Sequence, residues 1–201
     1  QLYMLHNQLT VVMICMWIAF SYLGIKIKNN YLKKKITYSI IAFALIQEVL
    51  DYTNRIFLDH DYYLSFQTDL PLHFCQFGFY FSLFGLYIAA SNKKFNPNVE
   101  QFLFDCAYVL GLAGAFQAMV VVDLTGVNNQ IGVYALNWQH SLIILNVLWL
   151  IFAYKKQFNV QGIFNAFIFI NIIIWPVGLI NYFLDANYMF VCAPPNVESS
   201  F

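Results

Sequence analysis

The stretch Leu9–Ile25, LTVVMICMWIAFSYLGI, runs straight into Lys26–Lys35, KIKNNYLKKK. An uncharged apolar run of this kind approaches the about 20 residues that an α-helix needs to cross a bilayer. The lysines end it at a membrane surface, because an ammonium group in hydrocarbon is costly. Working outward with the same grammar, the chain holds six spans, at about Leu9–Ile25, Ile36–Leu58, Leu70–Ala90, Phe102–Val122, Trp138–Tyr154 and Gly162–Leu184. The expected fold is an all-α, polytopic transmembrane helix bundle, one transmembrane domain over residues 1–201. The links between spans are short and polar, without an internal repeat or a soluble insertion.

Composition agrees. Hydrophobic residues make up 61% of the chain and charged residues 10%, against about 25% charged in soluble domains. Aromatic residues reach 19%, which suits a lipid-facing surface with interfacial belts. Ten basic and ten acidic residues cancel, and no basic stripe with interleaved aromatics is present, so nucleic acid is not an expected partner. Membrane lipids are. No basic n-region precedes an A-x-A site near the start. The chain begins with Gln1, so a fragment or processed protein is expected.

Lysine placement gives an orientation. Lys26, Lys28, Lys33, Lys34 and Lys35 fall between spans one and two, Lys93 and Lys94 between three and four, and Lys155 and Lys156 between five and six. The alternate links carry Asp59, Asp61, Asp69 and Asp123 and no lysine. The positive-inside rule makes the lysine side cytoplasmic. A multi-pass protein of the cell membrane is expected, with both termini extracytoplasmic. Asp69 and Pro71 are expected in the first turn of span three. Gly111 and Gly114 should permit close helix approach, and Pro176 should kink span six.

Polar residues inside the spans are the candidate site. Glu48, Asp51 and Arg55 follow i, i+3, i+7 spacing and share one face of span two, with Asp51 and Arg55 able to pair. They either fix helix register or line a polar substrate pocket. Cys75, close to a helix N-terminus whose dipole favours a thiolate, is a candidate nucleophile. It can equally be a packing residue or a disulfide partner of Cys192. Cys15 and Cys106 read as packing. His73, two residues from Cys75, does not face it on a regular helix. A base from another helix is easier, with His140 at the start of span five first and His6 before span one second. His60 reads as solvated. His6, His73 and His140 lack local ligand spacing, so no metal and no cofactor are expected. At the end of span six, Asn181, Asp185, Asn187 and Tyr188 either terminate the helix or add substrate contacts at the same level, where a lipid head group or ester would lie.

Several of these segments resemble the YwaF family of bacterial integral membrane proteins, which is related to eukaryotic transmembrane protein 164. They are His6, Leu70-Pro71-Leu72-His73-Phe74-Cys75, the His140 segment, and Asn187-Tyr188-Met189-Phe190 with Pro194-Pro195. The resemblance covers essentially the whole chain. It implies a cysteine-dependent phospholipid acyltransferase with Cys75 as nucleophile and His140 as base. The chain departs from the family pattern at Asp185-Ala186, where Gly-Thr is usual, and in lacking a basic residue near the prolines. A seventh helix that the family carries is expected to be missing after Phe201. The functional expectation is a lipid acyltransferase or acyl hydrolase, in which His73 or Asn187 stabilises the oxyanion. The alternatives are a non-enzymatic lipid or small-solute binding or transport protein, and a structural partner. The oligomeric state stays open.

Overall fold

The computed structural model describes every residue except Asp123, Thr125 and 195–201. Asp123, Pro195 and Phe201 of the sequence reading therefore lie outside the described residues. The chain is helical, with no strand among the described residues. Six helices follow in order: α1 (Leu2–Lys26), α2 (Asn30–Thr53, continued by a π-turn over Asn54–Leu58), α3 (Phe74–Ala90), α4 (Pro97–Val120), α5 (Gln130–Tyr154) and α6 (Val160–Leu184). A short 3-10 turn, Tyr188–Phe190, follows α6. Helices α1, α4, α5 and α6 are each long and apolar enough to cross a membrane.

Four helices start in the same way. The side-chain oxygens of Asn29, Asn96, Asn129 and Asn159 accept the N–H of Leu32, Asn98, Gly132 and Gly162 at 3.1, 2.9, 2.7 and 3.1 Å. Each satisfies one of the orphan donors of a first turn. Asn29, Asn96 and Asn159 sit beside the lysines, so those caps begin α2, α4 and α6 at the lysine-bearing end.

Five of the six helices are longer than hydropathy alone implies and α3 is shorter, and the changed starts move three expected positions. α1 begins at Leu2, so His6 lies inside it and is buried. α5 begins at Gln130, which puts His140 roughly three turns into the helix rather than at its start. α3 begins later than expected, at Phe74, with His73 as its N-cap. The His73 N–H donates to Gln76 Oε1 at 3.1 Å. Asp69 and Pro71 precede the helix. The Asp69 carboxylate is drawn into contacts across the 59–73 loop, and Leu72 N–H closes a tight turn onto Leu70 O at 2.8 Å.

α5 is the axis of the bundle. It packs against α1, α2, α3 and α4. Its polar side chains bond three of these neighbours, α1, α2 and α3. Asn137 Nδ2 donates to His6 Nδ1 on α1 at 3.0 Å. Ser141 Oγ accepts from Trp17 Nε1 at 3.0 Å. Asn146 Nδ2 donates to Ser82 Oγ on α3 at 3.0 Å. Trp149 Nε1 donates to Thr37 Oγ1 on α2 at 2.9 Å. Such bonds hold helices together where apolar burial gives no preference over lipid. α3 and α4 touch at Gly78 and Gly111, where a Cβ on Gly78 would lie 2.7 Å from the Gly111 backbone. The close approach expected of Gly111 is therefore present. A Cβ on Gly114 would rest 3.7 Å from Cys75, an ordinary contact. α6 runs unbroken through Pro176.

Candidate functional site

The ends of α2 and α3 remote from the lysines are joined through Asp69. Arg55, at the π-turn of α2, reaches Asp51 Oδ2 at 2.9 Å and Asp69 Oδ1 at 3.0 Å. The expected i, i+4 pair with Asp51 is therefore formed, but Arg55 has a second carboxylate that spacing could not reveal. Asp69 also accepts bonds from the Tyr62 hydroxyl, from Ser65 N–H at 2.8 Å and from Thr68 Oγ1 at 2.9 Å. Burial alone would raise its pKa, but these four donors together hold the carboxyl below its ordinary value. Burial, reinforced by the bond to Asp69, pushes Tyr62 up to about 12.

Glu48 accepts from Gln139 Nε2 of α5 at 3.2 Å. A cavity of about 160 Å³ lies beside this pair, lined by Asp51, Asn54, Arg55, Asp59, Leu136 and Gln139 among others. Asp51 and Arg55 thus reach the cavity. Glu48 joins it through Gln139.

The three histidines of the sequence reading have different partners. Both nitrogens of His6 are engaged, Nδ1 by Asn137 and Nε2 by the Met119 carbonyl at 3.0 Å. That occupies the second candidate base. His73 Nδ1 accepts the Met189 N–H at 3.3 Å, and its ring meets those of Tyr188 and Phe190 at 5.2 and 5.5 Å. Since Nδ1 accepts, the proton of the neutral ring is on Nε2. His140 is different. Its Nδ1 faces the Leu136 carbonyl at 2.9 Å. A carbonyl only accepts, so Nδ1 carries the proton and Nε2 keeps its lone pair. Among the described residues Nε2 has no partner. No group of three or more His, Cys, Asp or Glu is placed to hold a metal ion among the described residues.

All four cysteines are free thiols, so Cys75 and Cys192 are not joined. Cys192 is exposed and Cys106 buried. Cys15 lies on the outward face of α1 instead of packing inside, which suits an apolar side chain surrounded by lipid. Cys75 is the second residue of α3; it borders the core cluster that Leu142 and Ala115 belong to and lies beside Gly114 of α4. The N–H of Phe74 finds no partner among the described residues, as expected at a helix start, and the Cys75 N–H is directed at its own sulfur.

The end of α6 is tied down by its own polar groups. Asn181 is buried; its amide donates to Tyr188 O at 3.0 Å and accepts from Tyr188 N–H at 2.9 Å. Asp185 takes the left-handed conformation that ends α6, with φ 54°. The Tyr188 hydroxyl accepts from Leu70 N–H at 2.9 Å and donates to Phe66 O at 2.8 Å. The Asn187 carbonyl oxygen accepts from Cys192 N–H and Ala193 N–H, and its amide donates to Ala193 O. The amides of Asn181 and Asn187 are thus committed to this turn, and the Tyr188 hydroxyl ties it to the loop before α3.

Residues missed by the sequence reading share a trait. Asn137, Gln139, Ser141 and Asn146 lie on the one span whose polar residues point all round. That absence of a polar face is itself the signal of a helix enclosed by others. Asp105, buried in α4, bonds Gln101 and Asn165 at 2.8 Å each and secures α6.

Apolar helices of this length, arranged around a polar central helix, define a multi-pass integral membrane protein. Comparison with known families narrows this: the model of the TMEM164 family matches residues 1–201. The chain belongs to the TMEM164 family. Neither a curated protein nor a solved structure matches it.

Proposed function

We propose that this chain is a lipid acyltransferase or acyl hydrolase of the YwaF type, a single transmembrane unit in the cell membrane. Its lysine-bearing end faces the cytoplasm and its N-terminus the outside. Cys75 is the nucleophile and His140 the base. The observation that carries the reading is the tautomer of His140: alone among His6, His73 and His140, it has an unprotonated nitrogen with no described partner. His140 Nε2 takes the thiol proton, and the thiolate attacks the carbonyl carbon of an acyl ester. The ester C–O bond breaks, and the leaving alkoxide takes the proton back from His140. A hydroxyl acceptor, lysolipid or water, then gives its proton to His140 and displaces the thiol from the thioester. The unpartnered Phe74 N–H and the His73 Nε2–H are the donors for the oxyanion. Asn187, with its amide committed, is left out of that role.

The test is acyl exchange on phospholipid by the purified chain in nanodiscs, followed by lipid mass spectrometry. Cys75→Ala should abolish product, and His140→Ala should lower the rate by about 10²-fold or more. Unchanged exchange in Cys75→Ala rules the mechanism out.

One observation favours a second reading, binding or transport of a small polar solute. The cavity of about 160 Å³ places Asp51, Arg55 and Gln139 around one space. That reading requires solute uptake or binding to survive Cys75→Ala and His140→Ala and to fail in Asp51→Asn.

A further inference from the structure

At the opposite end of the bundle, a groove of about 660 Å³ lies where α3 ends, α4 begins and α5 ends. Its size falls within the about 300–1,000 Å³ usual for ligand sites. Lys93, Lys94 and Lys156 line it, with Glu100 as the acidic residue and Ile88 and Phe95 as apolar wall. Glu100 is held by Lys156 at 2.9 Å. The ammonium groups of Lys93 and Lys94 are exposed and have no partner among the described residues.

This is not the general condition of lysines at this end. Lys33 lies 4.9 Å over the Tyr154 ring, Lys35 4.8 Å over Tyr31 and Lys26 5.6 Å over Tyr22. Lys34 bonds Asn92, and Lys155 bonds the Phe152 carbonyl at 2.7 Å. The groove therefore gathers two unspent cations and a third that is half-neutralised. Its apolar wall continues toward lipid, since Phe95 meets the Tyr87 ring at 6.5 Å and both Tyr87 and Val99 are exposed. Cations at the rim and an apolar wall beneath them match an amphiphile with an anionic head. Basic pockets between transmembrane helices bind such head groups.

We propose that this groove docks an anionic phospholipid, its phosphate against Lys93, Lys94 and Lys156 and its upper chain against Phe95 and Tyr87. The site is separate from Cys75 and does not depend on the chemistry assigned there.

The test uses the full chain in detergent, titrated with dioctanoyl phosphatidylglycerol, dioctanoyl phosphatidylcholine or inorganic phosphate while thermal unfolding is followed. The proposal expects Tm to rise with phosphatidylglycerol only. Lys93→Gln/Lys94→Gln should weaken that binding by about tenfold or more, whereas Lys26→Gln/Lys28→Gln, at the same end but outside the groove, should leave it unchanged. Glu100→Gln frees Lys156 and should tighten it, which keeps the test decisive even if the double variant fails to fold. An equal shift with phosphatidylcholine overturns the proposal. So does an equal shift with phosphate alone, which marks a free-anion site. Equal losses in the two lysine pairs also overturn it, because they mark diffuse surface attraction.

Discussion

α5 and α6 are both 25-residue helices, yet they stand in opposite relations to the bundle. Of the most apolar stretch of each, 72% is buried in α5 and 11% in α6. The enclosed helix is the less apolar of the two. In water that ordering would be perverse. In a bilayer it follows, because lipid is as apolar as a protein core and hydrocarbon gains nothing by moving inward. What places α5 at the centre is its polar inventory, with Asn137, Gln139, Ser141, Asn146 and Trp149 each paired to another helix. α6 offers lipid its Trp175, Tyr182 and Phe183 and is held mainly to α4, where Asp105 bonds Asn165.

The sharpest way to break this contrast is at the tightest contact around the axis. Gly78→Val would drive side-chain atoms into the Gly111 backbone, with no flexible neighbour to yield. A loss of about 3 kcal/mol or outright failure to fold is expected, read by unfolding in mixed micelles. Next in size is a pair of asparagines. Asn137→Ala leaves buried His6 without its amide donor and should cost about 1–2 kcal/mol. Asn171→Leu, on the exposed side of α6, should change stability by less than about 0.5 kcal/mol. Equal effects would erase the distinction between the helices.

The smallest effect concerns pH and the Asp69 junction, beside the axis but outside it. The Asp69 carboxyl is held below its ordinary value of about 3.9. Its stabilising contribution is therefore fully present above that value and is lost as pH falls below it, through the folded-state value. Thermal unfolding between neutral and strongly acidic pH should show an acid-side decline that Asp69→Asn flattens. An unchanged slope in that variant would show that the junction does not titrate as described.

Much of this was legible in the sequence where the interaction is local. The Asp51–Arg55 pair lies within one helix turn, so spacing alone predicts it. Lysine placement marks one end of every helix without any tertiary knowledge. The small residue at position 111 signals close approach for the same reason. The rest depends on partners far along the chain. Arg55 finds Asp69 across an irregular loop. His6 finds Asn137 at a separation of 131 residues, and no pattern on α1 announces it. The position of His140 was misread because hydropathy marks where a helix enters apolar surroundings. It does not mark where the helix begins, and Asn129 starts α5 well before its apolar stretch.

The Tyr188 hydroxyl bridges Phe66 O and Leu70 N–H, and the second of these bonds spans 118 residues. A chain is made from its N-terminus, at about 5–20 residues per second. The segment leading into Cys75 therefore emerges on the order of ten seconds before the tyrosine that fastens it. Through that interval α3 has its cysteine but not its anchored entrance. Completion of the last described turn is then also the moment at which the loop before α3 gains its tether, so the order of synthesis leaves that loop unfastened until the bundle around it exists.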